Sequence, residues 1–345
     1  MSLCDHVSWL QIAGSDSLTI SDTSRFRHLV DELPKPHSQT PSIVFFYGKT
    51  GGNKDTALRF LFPYNNTKRN RSGGIANIRV DNATIHAEHP IFFADGNVKV
   101  ILPPKQTPST CHETITYPLI WPCANTQTAL DVALTRIILP QCSVLVIFVD
   151  DFDSMDLLLG QLVRWTALDI FSNLPKNIRP KLILVFSTSN GTYDQQAMRT
   201  ISTNSYVRAM FPSIIVFPIN EKLSPSACFR PLKEQLAKEI DISRDARRRS
   251  CWLFSATHLE GLYQACLRHT TQTITEAFDP VMATRMYAIH DGVLPNHLQN
   301  FLQMGVKYVT SYEDITTYIA SSLFLDAYPY GAPCKLPSTI GLFFY

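Results

Sequence analysis

Short apolar runs recur through the middle of the chain, and stretches with helical periodicity separate them. Most of these runs are apolar at successive positions, which is typical of strands that are buried on both faces of a sheet. The predicted strands are residues 42–47, 78–86, 90–95, 144–151, 181–186 and 213–219. Their alternation with helices predicts an α/β fold, with a mostly parallel sheet in a three-layer arrangement.

Helix signals fall between and after these strands. Asn125 and Ser154 are candidate N-caps, because each precedes a stretch with helical spacing of its apolar residues. The predicted helices cover residues 54–62, 126–139, 155–171 and 227–240, and helical periodicity alone continues from about 244 to 325. The pattern therefore predicts an α-helical segment after the sheet.

Three segments follow from this pattern. Residues 1–40 are predicted to be an N-terminal extension and linker, because they end in DELPKPHSQTP, which holds three prolines among polar residues. Residues 41–242 are predicted to be the α/β domain, and residues 243–345 the α-helical segment.

Composition excludes several classes of protein. The 345 residues are 45% hydrophobic and 17% charged, with a net charge of +2, which indicates a globular chain and argues against nucleic-acid binding through bulk charge. No apolar run is long enough for a transmembrane segment, and the first residues do not resemble a signal peptide. The eight cysteines form no CxxC pair, so reduced thiols and a cytoplasmic location are predicted.

The strongest motif is GKTGGNKDT, residues 48–56, between a predicted strand and a predicted helix. Its glycines let backbone N–H groups surround phosphate, and its lysine suits the outer phosphates, as in the P-loop pattern G-x-x-x-x-G-K-[ST]. The candidate phosphate-binding residues are Gly48, Thr50, Gly51, Gly52, Asn53, Lys54, Asp55 and Thr56. The alternative is an ordinary glycine-rich turn between a strand and a helix.

Two positions depart from the P-loop pattern. Asn53 stands where the glycine before the lysine belongs, and it tolerates a positive φ better than most residues. Asp55 replaces the hydroxyl that binds Mg²⁺, and a carboxylate beside a triphosphate is repulsive unless a metal lies between them. The sequence therefore predicts a P-loop fold with impaired catalysis.

Acidic residues at the ends of two apolar strands are candidates for the Mg²⁺ shell. Asp95 ends the run at 90–95, and Asp150 and Asp151 end the run at 144–151. In a GTPase-like strand order Asp95 is the residue on the metal side. In an ATPase order the residues on the metal side are instead Asp150 and Asp151. Solvated strand ends are the simpler alternative. No Asn-Lys-x-Asp guanine reader follows the run at 181–186, so either ATP or GTP remains a candidate ligand.

Long stretches of the chain resemble fungal P-loop NTPase-like proteins of a GTPase-like kind. The resemblance lies in the loop at 48–56, in DGNVKVILP, in CHETITYPLIWP, in the run from IWPCANTQTAL to LLLGQLVRW, and in FDP, LPNHLQNFL and IASSLFLDAYP further on. Typical members carry G-x-T-G-x-G-K-S-T, which Gly48, Thr50, Gly51, Lys54 and Thr56 match. In that group the GTPase-like domain and a helical segment often precede a patatin-like phospholipase module. No G-x-S-x-G elbow of that module follows residue 331.

The predicted function is that of a degenerate P-loop module, nucleotide-dependent or pseudo-NTPase, that acts by regulation and interaction with a protein partner. In a nucleotide-bound form, loop amides and Lys54 would hold the phosphates, and Asp95 or Asp150 would hold Mg²⁺. One alternative is an active but slow NTPase that uses the Thr56 hydroxyl. The other is the regulatory part of a patatin-like lipid hydrolase.

A basic cluster begins the predicted helical segment. It consists of Arg244, Arg247, Arg248 and Arg249. Because Asp241 and Asp245 lie within one turn and the net charge is near zero, the pattern favours a solvated helix face over contact with a membrane surface.

Overall fold

A computed structural model describes most of the chain in two compact units, Met1–Phe278 and Asp279–Tyr345. The described residues are 7–14, 18–67, 74–98, 114–123, 125–168, 174–188, 195–250, 252–280, 299–300, 302–303 and 311–327. All the β-strands of the described residues belong to the first unit.

The first unit is built on one sheet of nine strands. They are β1 (Ser8–Ala13), β2 (Thr19–Asp22), β3 (Ser42–Gly48), β4 (Ala76–Val80), β5 (Ile91–Asn97), β6 (Ile115–Pro118), β7 (Cys142–Phe148), β8 (Lys181–Ser187) and β9 (Ile214–Ile219). Their order across the sheet is β6-β2-β1-β4-β5-β3-β7-β8-β9.

The sheet is mixed, so the prediction of a mostly parallel sheet is wrong. Strands β5, β3, β7, β8 and β9 are parallel neighbours. The pairs from β6 through β2, β1 and β4 to β5 are all antiparallel. Continuous apolar runs are typical of buried parallel strands, and the short strands of the antiparallel half lack such runs, so the sequence pattern does not reveal them.

Helices flank the sheet and follow it. They are α1 (Arg25–Asp31), α2 (Asn53–Leu61), α3 (Thr126–Ala133), α4 (Met155–Ala167), α5 (Gln195–Thr203), α6 (Ser205–Met210), α7 (Pro225–Arg249), α8 (Ala256–Gln272) and, in the second unit, α9 (Tyr312–Ala327). The predicted N-caps are confirmed, since the side chain of Asn125 accepts a hydrogen bond from the Thr128 amide and that of Ser154 from the Leu157 amide.

Side-chain alternation along the central strands divides the core between the two faces of the sheet. On β3, Val44 and Phe46 face the layer that contains α2 and α7. Phe45 and Tyr47 face the opposite layer, which contains α3, α4 and α8. Successive residues of a strand point to opposite faces, so a run that is apolar throughout can serve both layers. The fold is therefore α/β with helices on both faces.

The N-terminal segment that was predicted to be an extension and linker contributes to this core. Its strands β1 and β2 form an antiparallel pair, and β1 also pairs with β4. The Trp9 ring lies 5.4 Å from the ring of Phe26 on α1 and 5.4 Å from that of Tyr263 on α8. The predicted boundary at residue 243 falls inside α7.

The predicted strand over 78–86 is confirmed only in its first part. β4 ends at Val80, and the chain turns at Asp81, whose carboxylate accepts a hydrogen bond of 3.1 Å from the Ala83 amide. This side-chain contact favours a turn over continued pairing. Among the described residues, no helix combines the length and apolarity that crossing a bilayer requires.

Candidate anion-binding loop

The glycine loop, defined as residues 48–56, connects the end of β3 to the first turn of α2. Gly48 is the last residue of β3, and Gly52 is the N-cap of α2. Gly51 has φ of +83°, a conformation that strongly favours glycine. The loop therefore has the strand–turn–helix geometry that its sequence predicts, with the positive end of a helix dipole at its mouth.

A carboxylate of the chain itself lies against the amides of this loop. Asp151 follows β7, in a 3₁₀ turn formed by Val149–Asp151. Its Oδ2 accepts a hydrogen bond of 3.0 Å from the Lys49 amide, and its Oδ1 accepts one of 3.3 Å from the Asn53 amide. Burial raises the pKa of Asp151, and hydrogen bonds from the backbone of Lys49, Asn53 and Lys54 offset part of that rise.

Two glycines make room for this carboxylate. A Cβ atom built on Gly48 would overlap Oδ2 of Asp151, and one built on Gly52 would overlap Oδ1. These contacts give the two glycines a structural reason that is independent of any bound nucleotide. The sequence pattern predicts Asp151 at the end of a strand, but it gives no sign of the contact with the glycine loop.

The side chain of Lys54 is buried beneath the loop. It is 1% exposed, and its Nζ donates hydrogen bonds of 3.2 Å to the Gly48 carbonyl and 2.7 Å to the Gly96 carbonyl. The same atom lies 3.9 Å from Oδ2 of Asp95. Lys54 thus ties α2 to the ends of β3 and β5.

Asp55 also serves the loop. Its Oδ2 accepts a hydrogen bond from the Gly51 amide, and the side chain is buried at the third position of α2. An acidic side chain that bonds back from this position satisfies a backbone donor at the helix start. The P-loop pattern explains Asp55 only as the loss of a Mg²⁺ ligand, whereas in the structure its carboxylate holds the turn at Gly51.

The remaining candidates of the loop lie at its surface. Thr50 is exposed, and its Oγ1 accepts a hydrogen bond of 2.9 Å from Nδ2 of Asn97. Thr56 is exposed on the first turn of α2. Nδ2 of Asn53 donates a hydrogen bond of 2.5 Å to Oε1 of Glu221, which lies in the loop after β9.

Asp95 lies among cationic and amide donors. Its Oδ1 lies 2.8 Å from Nη1 of Arg79, and its Oδ2 accepts a hydrogen bond of 3.2 Å from Nδ2 of Asn77. Burial alone would raise the pKa of Asp95, but Lys54, Arg79 and Asn77 outweigh that effect and hold the pKa below its usual range. These contacts already use both carboxylate oxygens.

Asp150 points to the neighbouring strand. Its Oδ2 accepts a hydrogen bond of 2.6 Å from the Ser187 amide at the end of β8, and burial raises the pKa of its carboxyl group. Within the described part of the chain, no group of three or more His, Cys, Asp or Glu side chains is arranged to hold a metal ion. The amides of Lys49 and Asn53 are bonded to the Asp151 carboxylate in this arrangement, so a nucleotide phosphate would have to displace that carboxylate to use these two donors.

Three arginines of the basic cluster make contacts within the chain. Arg244 lies 3.0 Å from Asp241, and Arg248 lies 2.8 Å from Asp245. Nη2 of Arg247 donates a hydrogen bond of 2.6 Å to the Cys142 carbonyl at the start of β7, and burial lowers the pKa of Arg247 to about 10.

Comparisons with known families, curated proteins and solved structures do not identify a relative of this chain. No protein-family model matches the sequence, and neither does any curated protein. A crystal structure of a mutation variant of SsGBP is similar with a TM-score of 0.31 and 14% sequence identity, over 67% of this chain and 66% of that one. We draw no argument from similarity at that level.

Proposed function

We propose that residues 41–242 form a degenerate, GTPase-like P-loop domain, and that the protein acts as a pseudo-NTPase module in regulation and interaction with a protein partner. The observation that carries this proposal is the Asp151 carboxylate bound to the amides of the glycine loop at 3.0 and 3.3 Å. An anion of the chain takes the hydrogen bonds that a phosphate would need.

The arrangement of strands supports the GTPase-like part of the proposal. β3 carries the glycine loop and lies between β5 and β7, and β5 pairs on its other side with the antiparallel strand β4. Counted from β3 along the chain, β5 is the third strand, and it contains Asp95 two residues before its end at Asn97. This is the position that a GTPase-like order assigns to the acidic residue on the metal side.

The contacts of three side chains support the proposal that the domain does not hydrolyse nucleotides. Lys54 donates to two backbone carbonyls, Asp55 accepts from the Gly51 amide, and Asp95 is paired with Arg79. Catalysis of phosphoryl transfer depends on cations and a metal placed around the phosphates. These side chains instead stabilise the loop and the adjacent strand ends.

Titration of the purified protein with fluorescent ATP and GTP analogues, in Mg²⁺ and in EDTA, tests the proposal. We expect no saturable binding of either nucleotide up to millimolar concentration. The Lys54→Ala and Lys49→Ala variants are titrated in parallel, since Lys49 is exposed in the same loop. Mg²⁺-dependent binding to the wild type and to Lys49→Ala that is lost in Lys54→Ala would show a working phosphate site and overturn the proposal.

A further inference from the structure

The glycine loop and the residue that fills it come from distant parts of the sequence. The hydrogen bond from the Lys49 amide to Asp151 spans 102 positions, and that from the Asn53 amide spans 98. Strands β3 and β7 are parallel neighbours, so their carboxyl ends lie at the same edge of the sheet. The short 3₁₀ turn after β7 then places Asp151 over the start of α2.

The chemistry of the contact is that of an anion site. Backbone N–H groups at the start of a helix bind negative charge, because they lack partners within the helix and lie at the positive end of its dipole. A carboxylate offers these donors two oxygens and one negative charge. It therefore makes the same kind of hydrogen bonds as a phosphate oxygen would, without a ligand from solution.

A second acidic side chain closes the same loop. Glu221, in the loop that follows β9, accepts a hydrogen bond from Nδ2 of Asn53. Asn53 stands where a P-loop has a glycine, and a glycine there would have no side chain to make this contact. Thus one departure from the P-loop pattern supplies a contact between α2 and the loop after β9.

We propose that Asp151 is an internal anion that keeps the glycine loop closed, and that the loop binds phosphate groups only when this carboxylate is withdrawn or removed. The inference deepens the proposed function and rests on it, because it assigns the cause of the inactive state to one side chain. The ligand class of the opened loop is a phosphate or a diphosphate. Lys54 donates its hydrogen bonds to the carbonyls of Gly48 and Gly96 beneath the loop, so the donors that face Asp151 are the backbone amides.

The test replaces Asp151 by Ala and by Asn and uses inorganic pyrophosphate as the probe. Binding is measured by calorimetric titration and by the shift in melting temperature, with chloride at matched ionic strength as the reference. We expect no heat of binding and no shift in melting temperature when pyrophosphate is added to the wild type. Both variants should bind pyrophosphate at least tenfold more tightly than the weakest binding that the titration of the wild type could detect. The Asp153→Ala variant is the control, because Asp153 is an exposed acid two positions away.

Three results would overturn the proposal. They are equal binding by the wild type and the Asp151 variants, an equal gain in Asp153→Ala, and no binding by folded Asp151 variants. A variant that does not fold in buffer is refolded from urea with and without pyrophosphate. Recovery only with pyrophosphate supports the proposal, and no recovery counts against it.

The outcome is distinguishable from failure of the proposed function. Saturable nucleotide binding by the wild type would overturn the pseudo-NTPase function. The inference about Asp151 would still stand if Asp151→Ala bound pyrophosphate at least tenfold more tightly than that wild type.

Discussion

At the scale of single residues, the glycine loop is held by charged groups that bond to its backbone. Lys54 binds two carbonyls from below, while Asp55 and Asp151 bind amides from within and above. Buried charges are tolerated in proteins when they are paired and hydrogen-bonded. The loop is consequently a structural element whose stability depends on these side chains.

Substitution of Lys54 by Ala should destabilise the protein by about 3 kcal/mol, because it leaves buried carbonyls unpaired and removes one of the two cations near Asp95. Urea unfolding measures the loss. The exposed Lys49, replaced by Ala, should change the free energy of unfolding by no more than about 0.5 kcal/mol. Equal values for the two variants would contradict the buried role of Lys54.

Substitution of Gly52 by Ala should be more costly in the wild type than in a protein that already carries Asp151→Ala. The new Cβ overlaps Oδ1 of Asp151, and this overlap disappears with the carboxylate. A double-mutant cycle of unfolding free energies should give a coupling of about 1–3 kcal/mol. Strictly additive effects of the two substitutions would show that the carboxylate does not occupy the loop in solution.

At the scale of elements, the junction between β2 and α8 buries a carboxyl group. Oδ2 of Asp22 accepts a hydrogen bond of 2.8 Å from Nε2 of Gln264, and Oδ1 accepts one of 3.1 Å from the Ser24 amide. Burial raises the pKa of Asp22 despite these bonds, and burial also raises the pKa of Glu260, which lies on α8 like Gln264. The folded state therefore binds protons here more readily than the unfolded chain does.

The stability of the protein should consequently fall as the pH rises from the ordinary carboxyl pKa of about 3.9 through the raised pKa of folded Asp22. In this window the folded state holds the proton and the unfolded state has lost it, so deprotonation favours unfolding. Asp22→Asn should reduce the fall, as measured by urea unfolding across the window. Glu234→Gln, at an exposed position of α7, serves as the control, and an unchanged slope in Asp22→Asn would contradict the assignment.

At the scale of the whole molecule, the N-terminal segment joins several distant parts of the first unit. Trp9 of β1 is fully buried, and its neighbours Phe26 and Tyr263 come from α1 and α8. Phe26 also packs edge-on against Phe92 of β5, with 5.9 Å between the ring centroids. The antiparallel half of the sheet is thus part of the main core.

Trp9→Ala should destabilise the first unit by about 4 kcal/mol, the usual cost of deleting a large buried aromatic side chain. Thermal or urea unfolding provides the measurement. Ile120→Ala, at a position that is 71% exposed, should have an effect within about 0.5 kcal/mol. A small loss for Trp9→Ala would mean that β1 contributes little to the core, which is what the prediction of an N-terminal extension and linker over residues 1–40 implies.

The sequence predicted the parallel half of the fold well, and the antiparallel half poorly. The apolar runs at 42–47 and 181–186 coincide with β3 and β8, because strands inside a sheet that is covered on both faces are apolar at successive positions. β2 is only the four residues Thr19–Asp22, and its partner β6 lies far along the chain. Periodicity over so few residues carries little information about pairing at that distance.

In the candidate site, too, features set by neighbouring residues were predicted from the sequence, and a contact between distant residues was not. The glycine spacing predicted the strand–turn–helix shape around Gly48 and Gly51, since backbone conformation is a local property. The position of Asp151 depends on which strand lies beside β3, and that is decided by the packing of the whole sheet. Its only signal in the sequence was its place directly after an apolar strand.

One neighbour of Trp9, the Tyr263 ring, lies far along the chain from it, and this distance has a consequence during synthesis. A ribosome releases β1 long before it releases α8, which supplies Tyr263 to the Trp9 cluster. Nascent segments fold as their partners become available, and exposed apolar surface promotes association between chains. The Trp9 ring therefore lacks its Tyr263 neighbour until α8 has been synthesised, and a premature stop before residue 256 would yield a product in which that side of the indole is uncovered.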